Sequence, residues 1–365
     1  MNLLYHIALT LVPNIGDVHA KLLLQAYGND AQKIFEARKG ELDKIPGIGS
    51  VRAKSIKEFS NFKRAEEELI FIEKYKIETL IIGEEKYPKR LLNCYDAPTL
   101  LYYRGNANLN AEKIVSIVGT RNNTEYGKLV TEKLIDEFAN HDILIVSGLA
   151  YGVDSIAHKL AMKSHLKTVG VLAHSLDRIY PSSHTSMAKE MVEQGGLLTE
   201  FISNTKPDKQ NFPKRNRIVA GMADATIVIE TNIKGGSMIT AELANSYNKD
   251  VFAIPGKITD GKSEGCNFLI KNNKAMLITH GQDVIEQMQW QDKKKIKPKP
   301  QRELFIQLTP DEEIIYKIIK EHSPIHIDEL YLKSGLSSSH VAAAILNLEL
   351  QGIITQLPGK LYKLM

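Results

Sequence analysis

The strongest pattern along the chain is an alternation of short apolar runs with helix-length amphipathic segments. The runs, which are rich in β-branched residues, are 114–118, 143–146, 168–172, 197–198, 226–229, 251–254 and 275–278. Polar-periodic segments such as 124–140 and 237–248 separate them. Short continuous strands between helices are typical of a parallel sheet covered on both faces. Residues 111–289 are therefore predicted to form an α/β domain with a Rossmann-like, doubly wound, mostly parallel sheet.

The first sixty residues contain an imperfect repeat, 12–18 and 45–51, and a helix pattern follows each copy. Each copy resembles a helix-hairpin-helix, in which a glycine turn exposes backbone N–H groups to a phosphate at a helix N-terminus. The second copy has Gly47 and Gly49 in the turn, then Arg52 and Lys54 on the helix, and these four residues are predicted as an auxiliary phosphate site. The first copy has Asn14 in place of the first glycine, and we interpret it as structural.

The remaining segments divide the chain further. Residues 1–62 are predicted to form a helical helix-hairpin-helix (SAM-like) domain, and the loop-rich residues 63–110 a lead-in to the main domain. Residues 290–303 are dense in lysine and proline, which favours a basic linker. Three helix patterns and two short strands predict a winged helix over residues 304–365. Its recognition helix, 337–350, carries no lysine or arginine, so a protein contact or an auxiliary role is favoured over base reading.

Composition narrows the class of protein only slightly. The net charge of +4 over 365 residues permits a polyanionic partner without requiring one. Cys94 and Cys266 lie far apart and outside any metal-binding spacing, so neither a disulfide framework nor a metal site is expected. The chain begins without a basic segment ahead of an apolar stretch, and no apolar run is long enough to cross a bilayer. These features predict a cytoplasmic protein without membrane insertion.

Candidate binding residues follow the predicted strands, at the edge of the sheet where open α/β folds bind their ligands. They combine glycines, hydroxyl groups and cations close to predicted helix starts. The predicted polyanion-binding set is Gly119, Thr120, Arg121, Ser147, Gly148, Lys214, Arg215, Asn216, Arg217, Gly235, Gly236 and Ser237. Helix N-termini attract anions, and arginine binds phosphate with two parallel hydrogen bonds. Several such groups in one crevice suit a short polyanion better than a mononucleotide.

Two sequence motifs would indicate a bound nucleotide instead of a polyanion. No complete Gly-x-Gly-x-x-Gly follows the first strand, which disfavours a dinucleotide cofactor. A literal P-loop pattern runs from Gly256 to Ser263, but it follows a late strand and no convincing metal-binding carboxylate comes after it. An ATPase is therefore disfavoured, and no cofactor is predicted.

At these residues the chain resembles the DprA (Smf) family of bacterial DNA-processing proteins, over nearly its whole length. The resemblance is carried by Gly119-Thr120-Arg121, Ser147-Gly148, 152–154, Tyr180-Pro181, 212–217, 235–240 and parts of 255–267. It implies a protein without known catalysis that binds incoming single-stranded DNA during natural transformation, protects it from nucleases and loads the RecA recombinase. It also implies a homodimer, for which Phe268, Ile270 and Leu277 are the candidate contact residues.

The chain departs from the family pattern at Ala173-His174-Ser175, where relatives have glycines, and at 182–184, where relatives often have a lysine. Lys189 could replace that lysine. Two alternatives to the family function remain. A nucleoside monophosphate phosphoribohydrolase would use a glycine-rich loop like 234–242, but Met238 and Ile239 replace the later glycine and threonine of its motif. A transcription factor would rest on the winged helix alone, despite its uncharged recognition face.

Overall fold

The computed structural model describes residues 2–291 and 308–364, and it divides into two compact units, Met1–Asp292 and Lys293–Met365. The predicted basic linker, from residue 292 onward, lies outside the described residues. The helices of the first unit are α1 (Leu3–Leu11), α2 (Asp17–Ala26), α3 (Ala31–Glu36), α4 (Lys39–Asp43), α5 (Gly49–Lys57), α6 (Phe62–Tyr75), α7 (Glu125–Phe138), α8 (Val153–Lys163), α9 (Thr185–Gln194), α10 (Asn211–Met222), α11 (Gly236–Ser246), α12 (Glu264–Lys271) and α13 (Gly281–Gln287). Its strands are β1 (Glu78–Ile81), β2 (Leu100–Gly105), β3 (Lys113–Val118), β4 (Ile143–Ser147), β5 (Thr168–Val171), β6 (Gly196–Thr199), β7 (Ala225–Val228), β8 (Asp250–Ala253) and β9 (Met276–Leu277).

The nine strands form one sheet in the order β1-β2-β6-β5-β4-β3-β7-β8-β9. The seven strands from β6 to β9 in this order are mutually parallel, which confirms the predicted α/β class. In the central register, Ser116 of β3 pairs with Val146 of β4 and Thr226 of β7. The carboxyl ends of β3, β4 and β7 therefore lie side by side.

The segment predicted as a lead-in, residues 63–110, contributes two strands to this sheet. β1 pairs with β2, and β2 pairs with β6, both in the antiparallel direction. The loop between β1 and β2 contains a short 3-10 helix, Lys89–Asn93, and no periodic helix pattern. The alternation of strands with helices that predicted the parallel strands therefore does not extend to β1 and β2. The sheet begins at Glu78, about thirty residues before the predicted boundary at 111.

Helices cover both faces of the sheet. One apolar cluster joins β3, β4 and β7 to α7, α8 and α13, with Phe138 and Ile145 fully buried. A second cluster, on the other face, includes α10, α11 and α12. It continues into the N-terminal helices through residues such as Leu23 and Ile34. The N-terminal helical region is thus present as predicted, but it shares its core with the sheet and belongs to the same compact unit.

The two N-terminal hairpins have related backbones. Asn14 and Gly47 occupy equivalent turn positions, and both have a left-handed backbone, with φ of 64° and 87°. Asparagine tolerates this conformation better than most residues, which explains why it can replace glycine there. The side chain of Asn14 also donates to Ser55 Oγ at 3.2 Å, so it joins the first hairpin to the helix of the second.

The second unit is a winged helix. Its helices are α14 (Pro310–His322), α15 (Ile327–Ser334) and α16 (Ser338–Leu350), and its strands are β10 (Ile325–His326), β11 (Ile354–Leu357) and β12 (Leu361–Leu364). The strands form an antiparallel sheet in the order β10-β12-β11. The short strand β10 was not predicted. On the recognition helix α16, Leu346 and Leu350 are exposed.

Candidate anion-binding crevice

A crevice of about 360 Å³ opens at the carboxyl ends of β3, β4 and β7, between the first turns of α10 and α11. Nine of the twelve predicted binding residues line it. They are Gly119, Thr120, Arg121, Gly148, Arg215, Asn216, Gly235, Gly236 and Ser237. The position agrees with the rule that open α/β sheets bind ligands at strand ends.

Arg215 is the central cation of the crevice. The residue is only 6% exposed. Nη1 donates to the carbonyl of Val171 at 2.6 Å, and Nε donates to Asn216 Oδ1 at 3.0 Å. Of the five N–H donors of a guanidinium, three have no partner among the described residues. Burial lowers the pKa of Arg215, and the nearby carboxylate of Asp154 opposes that shift.

Gly148 makes room for this arrangement. A Cβ at Gly148 would lie 2.2 Å from Arg215 Nη1 and 2.4 Å from Asp154 Oδ2. Asp154 accepts the backbone N–H of Ala150 at 3.3 Å, which fixes the loop after β4. Burial raises the pKa of Asp154, and Arg215 is the largest influence that lowers it. The glycine is therefore needed for the packing of a buried guanidinium beside a buried carboxyl group.

The N-terminus of α11 is open to the crevice. Its N-cap is Gly235, and no side chain caps it. The first N–H groups of a helix have no partner within the helix, and they carry partial positive charge. Ser237 lies in this first turn, and its Oγ is buried without a hydrogen-bond partner among the described residues. Asn216 donates to the carbonyl of Gly236 at 3.3 Å, so it connects this terminus to Arg215.

Aromatic rings stand at the mouth of the crevice. The guanidinium of Arg121, which is exposed, lies 5.2 Å from the ring centroid of Phe212. Tyr180 approaches the same ring at 6.3 Å, and Tyr151 is about half exposed nearby, beside a small pocket that shares Arg121 and Phe212 with the crevice. Flat rings beside a cation can hold a base or another planar group.

The N-terminus of α7 is not available, although the sequence pattern placed an anion site there too. Glu230, which follows β7, is fully buried and accepts the backbone N–H of Thr124 at 2.9 Å and its hydroxyl group. Thr124 also caps α7 by accepting from Gly127. A carboxylate of the protein itself therefore occupies this helix N-terminus.

Three predicted residues lie outside the crevice. Ser147 is buried and donates to the carbonyl of Ile117 at 2.6 Å. Lys214 is exposed but lines a cleft on the other side of α10. Arg217 is 8% exposed and contacts Asp17, Glu200 and the carbonyl of Asp96. The structure does not bring Lys214 or Arg217 to the crevice. Each residue of a helix is rotated by about 100° from the one before, so Lys214 and Arg217, three positions apart, share a face of α10 that Arg215 does not.

The auxiliary site and the unusual loop residues are also defined by their contacts. Arg52 folds back to donate to the carbonyl of Ile48 at 3.2 Å, while Lys54 is exposed and lies 3.7 Å from Glu58. Gly47 and Gly49 both have positive φ in the hairpin turn. Arg52 thus braces the turn that was predicted to bind phosphate.

His174 and Lys189 do not add cations to the crevice. His174 is buried and accepts the N–H of Tyr180 at 3.2 Å, and burial lowers its pKa. Lys189 lines a separate groove beside Arg104. By contrast, the exposed cation Lys234 does line the crevice and was not predicted as a binding residue. Its position in the loop between β7 and α11, next to the N-cap Gly235, was the available signal.

His158, four residues after Asp154 on α8, belongs to the core. Its ring nitrogens contact Thr168 Oγ1 at 2.7 Å and the carbonyl of Gly148. Burial lowers its pKa to about 4, so the ring is neutral near pH 7. Within residues 2–291 and 308–364, no group of three His, Cys, Asp or Glu side chains could hold a metal ion. In the same residues, no helix combines the length and apolarity needed to cross a bilayer.

These features define an α/β protein with an anion-binding crevice at the ends of its parallel strands, joined in sequence to a winged helix. Comparison with known proteins gives the family. Residues 78–289 match the family model "DNA recombination-mediator protein A", and residues 297–360 match the "DprA winged helix domain". The chain belongs to this family, the DprA (Smf) proteins.

Individual relatives agree with this assignment. The chain is 40% identical to DNA processing protein DprA of Streptococcus pneumoniae over 215 residues, which cover 59% of this chain and 76% of that protein. It is 30% identical to Protein Smf of Escherichia coli over 352 residues, covering 91% of each.

The fold of this chain is similar to those of two solved structures. The X-ray structure of DprA from Streptococcus pneumoniae has a TM-score of 0.68 at 33% identity, and it covers 78% of this chain and 97% of that one. A DNA processing protein A from Helicobacter pylori, described for its single-stranded DNA binding mode, has a TM-score of 0.54 at 34% identity and covers 59% and 96%.

Proposed function

We propose that this protein binds single-stranded DNA, with the phosphates of the strand held in the crevice. The observation that carries the proposal is the combination of Arg215, Ser237 and the uncapped N-terminus of α11 in one cavity. Arg215 has three donors without a described partner, the Ser237 hydroxyl has none, and the helix terminus adds further N–H groups. Such a set of donors is complementary to phosphate oxygens.

A single strand suits the mouth of this crevice better than a duplex does. Phe212, Tyr180 and Tyr151 surround it, and base stacking on such rings requires bases that are not already paired. The description of the Helicobacter pylori relative supports this choice, since that protein has a single-stranded DNA binding mode. We assign the phosphate contacts to Arg121 and Arg215, together with the glycine-rich start of α11.

An enzymatic role receives less support. A phosphoribohydrolase-like reaction would need the glutamate of the 234–242 loop at the ligand. Glu242 instead lies on the exposed side of α11, with Oε1 3.7 Å from Lys274 Nζ, and it does not line the crevice. We therefore propose a binding protein without catalysis.

Family membership supports the wider role. We propose that the bound strand is incoming DNA in natural transformation, that it is protected from nucleases, and that it is passed to the RecA recombinase in the cytoplasm. We also propose a homodimer through the edge of the sheet at β9, where Leu277 is 48% exposed and Phe268 and Ile270 are only partly buried. We assign to the hairpin residues Gly47, Gly49, Arg52 and Lys54 an auxiliary contact with phosphate.

The test compares Arg121→Ala with Lys214→Ala, because both remove an exposed cation and only Arg121 lines the crevice. Binding of a fluorescent oligonucleotide and of its duplex is measured over a series of salt concentrations. The unmodified protein should prefer the single strand. Arg121→Ala should bind more weakly, with a salt slope shallower by about 0.7, the value for one phosphate contact on a single strand. Lys214→Ala should retain the slope. A preference for duplex, or equal slopes in all three proteins, would refute the assignment.

A further inference from the structure

Arg215 and Arg217 lie on the same helix and have different environments. Residues two positions apart on an α-helix are separated by about 200° around its axis. The guanidinium groups of Arg215 and Arg217 therefore leave α10 on nearly opposite sides. Arg215 enters the crevice, whereas Arg217 points toward the N-terminal helices. Bonds that fix the position of Arg217 therefore also fix the helix that carries Arg215.

Arg217 joins three segments that are distant in sequence. Its Nη2 donates to Asp17 Oδ2, at the start of α2, at 2.9 Å, and also to Glu200, which directly follows β6. Its Nη1 donates to the carbonyl of Asp96, in the loop before β2. The side chain of Arg217 is 9% exposed and that of Glu200 is 11% exposed, so these bonds are largely shielded from water.

Further hydrogen bonds make this cluster rigid. Asp17 Oδ1 accepts the backbone N–H of Thr99 at 3.3 Å, and Asp96 Oδ1 accepts the hydroxyl of Tyr247 at 2.7 Å. The N-terminal helical region is therefore bonded to α10 through Arg217. Asp96, which accepts from Arg217, connects the same cluster to Tyr247, the residue that follows α11. These are the two helices whose first turns form the crevice.

We propose that Arg217 is a positioning residue, which with Asp17 and Glu200 sets the position of α10 so that Arg215 and Asn216 face the crevice. Asp17 of the N-terminal helical region then strengthens DNA binding through Arg217, without itself contacting the DNA. This inference rests on the proposed binding of single-stranded DNA. It assigns to the first hairpin, through Asp17, a role in the affinity of a site on another part of the unit.

The decisive variant is Asp17→Ala, because two explanations predict opposite signs for it. If only long-range charge mattered, removing an acidic side chain would strengthen the binding of a polyanion. If Asp17 holds α10 through Arg217, its removal weakens binding. We expect the dissociation constant for a single-stranded oligonucleotide to rise about fivefold or more, the lower end of typical coupling between sites. The salt slope should not change, because no phosphate contact is lost.

Arg217→Met and Arg217→Lys complete the test. Burial raises the pKa of Glu200, and Arg217 is the main influence that opposes this rise. Removal of Arg217 therefore leaves Glu200 and Asp17 without their shared cation. We expect Arg217→Met to weaken binding with an unchanged slope, and Arg217→Lys to restore part of the affinity. Arg64→Met is the matched control. It removes another partly buried arginine, bonded to Glu68 and Ser203, and its partners lie outside α10.

Each outcome decides between the explanations once thermal unfolding shows that the variant is folded at the temperature of the assay. Unchanged or tighter binding by Asp17→Ala would overturn the inference, and so would an equal loss of affinity in Arg64→Met. A slope reduced by about 0.7 in Arg217→Met would make Arg217 a direct phosphate contact instead. Should Arg217→Met fail to fold, Asp17→Ala decides alone, since Arg217 keeps Glu200 as its partner there. Failure of the unmodified protein to bind single strands would refute the proposed function itself.

Discussion

The helices α7 and α11 begin at the same edge of the sheet. Their N-termini differ in whether side chains of the protein provide hydrogen-bond acceptors there. The first turn of α7 is capped by Thr124 and bonded to the buried carboxylate of Glu230. The first turn of α11 begins at a glycine without a side-chain cap and contains the unpartnered hydroxyl of Ser237. A helix N-terminus is thus a site for an external anion only where the protein has not supplied an anion of its own.

The largest expected effect comes from the occupied terminus. Glu230→Gln places an amide where the N–H of Thr124 needs an acceptor, and it removes a charge-assisted bond in a fully buried place. We expect a loss of about 2 kcal/mol in the free energy of unfolding, measured by urea titration. The affinity of the folded protein for single strands should change by less than about threefold. A large loss of affinity at unchanged stability would show that the α7 terminus takes part in binding.

A smaller effect is expected when the open terminus is made to resemble the occupied one. Gly236→Asp adds a carboxylate at the first position of α11, where a new Cβ would meet nothing within 4 Å. The negative charge should stabilise the helix slightly but compete with phosphate, so we expect affinity for single strands to fall at least about tenfold. Gly236→Asn is the neutral control of similar shape. Equal affinities for the two variants, in the same titration, would contradict an anion site at this terminus.

The smallest effect concerns a single hydroxyl group. Ser237→Ala removes a buried oxygen that has no partner in the free protein, so stability should remain the same or increase slightly. If the hydroxyl donates to a bound phosphate, affinity should fall by about threefold to tenfold. Calorimetric unfolding and the binding titration together check this. Lower stability combined with unchanged affinity would mean that the hydroxyl serves the fold and not the ligand.

The strands of the sheet could be predicted because their signal is local. For all seven predicted strands, each end lies within one residue of the observed end, as in the run 114–118 and the strand Lys113–Val118. The strands β1 and β2 were not predicted. They flank an irregular loop, so no helix pattern between them indicated that they belong to the sheet.

The crevice was predicted in position but not in full detail. Sequence order placed Arg215 and Arg217 together, whereas the turn of α10 sends them to different partners. The role of Glu230 depends on a contact with Thr124, more than one hundred residues away, and such a pairing leaves no local pattern. Lys234 could have been found from its place immediately before the glycines that begin α11.

The crevice presents glycines, helix N–H groups, hydroxyls and arginine to its ligand. Such groups bind the phosphates of a nucleic acid and do not read its bases. Such a surface carries almost no information about sequence. It can therefore bind strands of any sequence, and it discriminates between ligands only by their charge and by whether their bases are unpaired. Under the proposed function, this lack of sequence preference would let one site bind any single strand that reaches it.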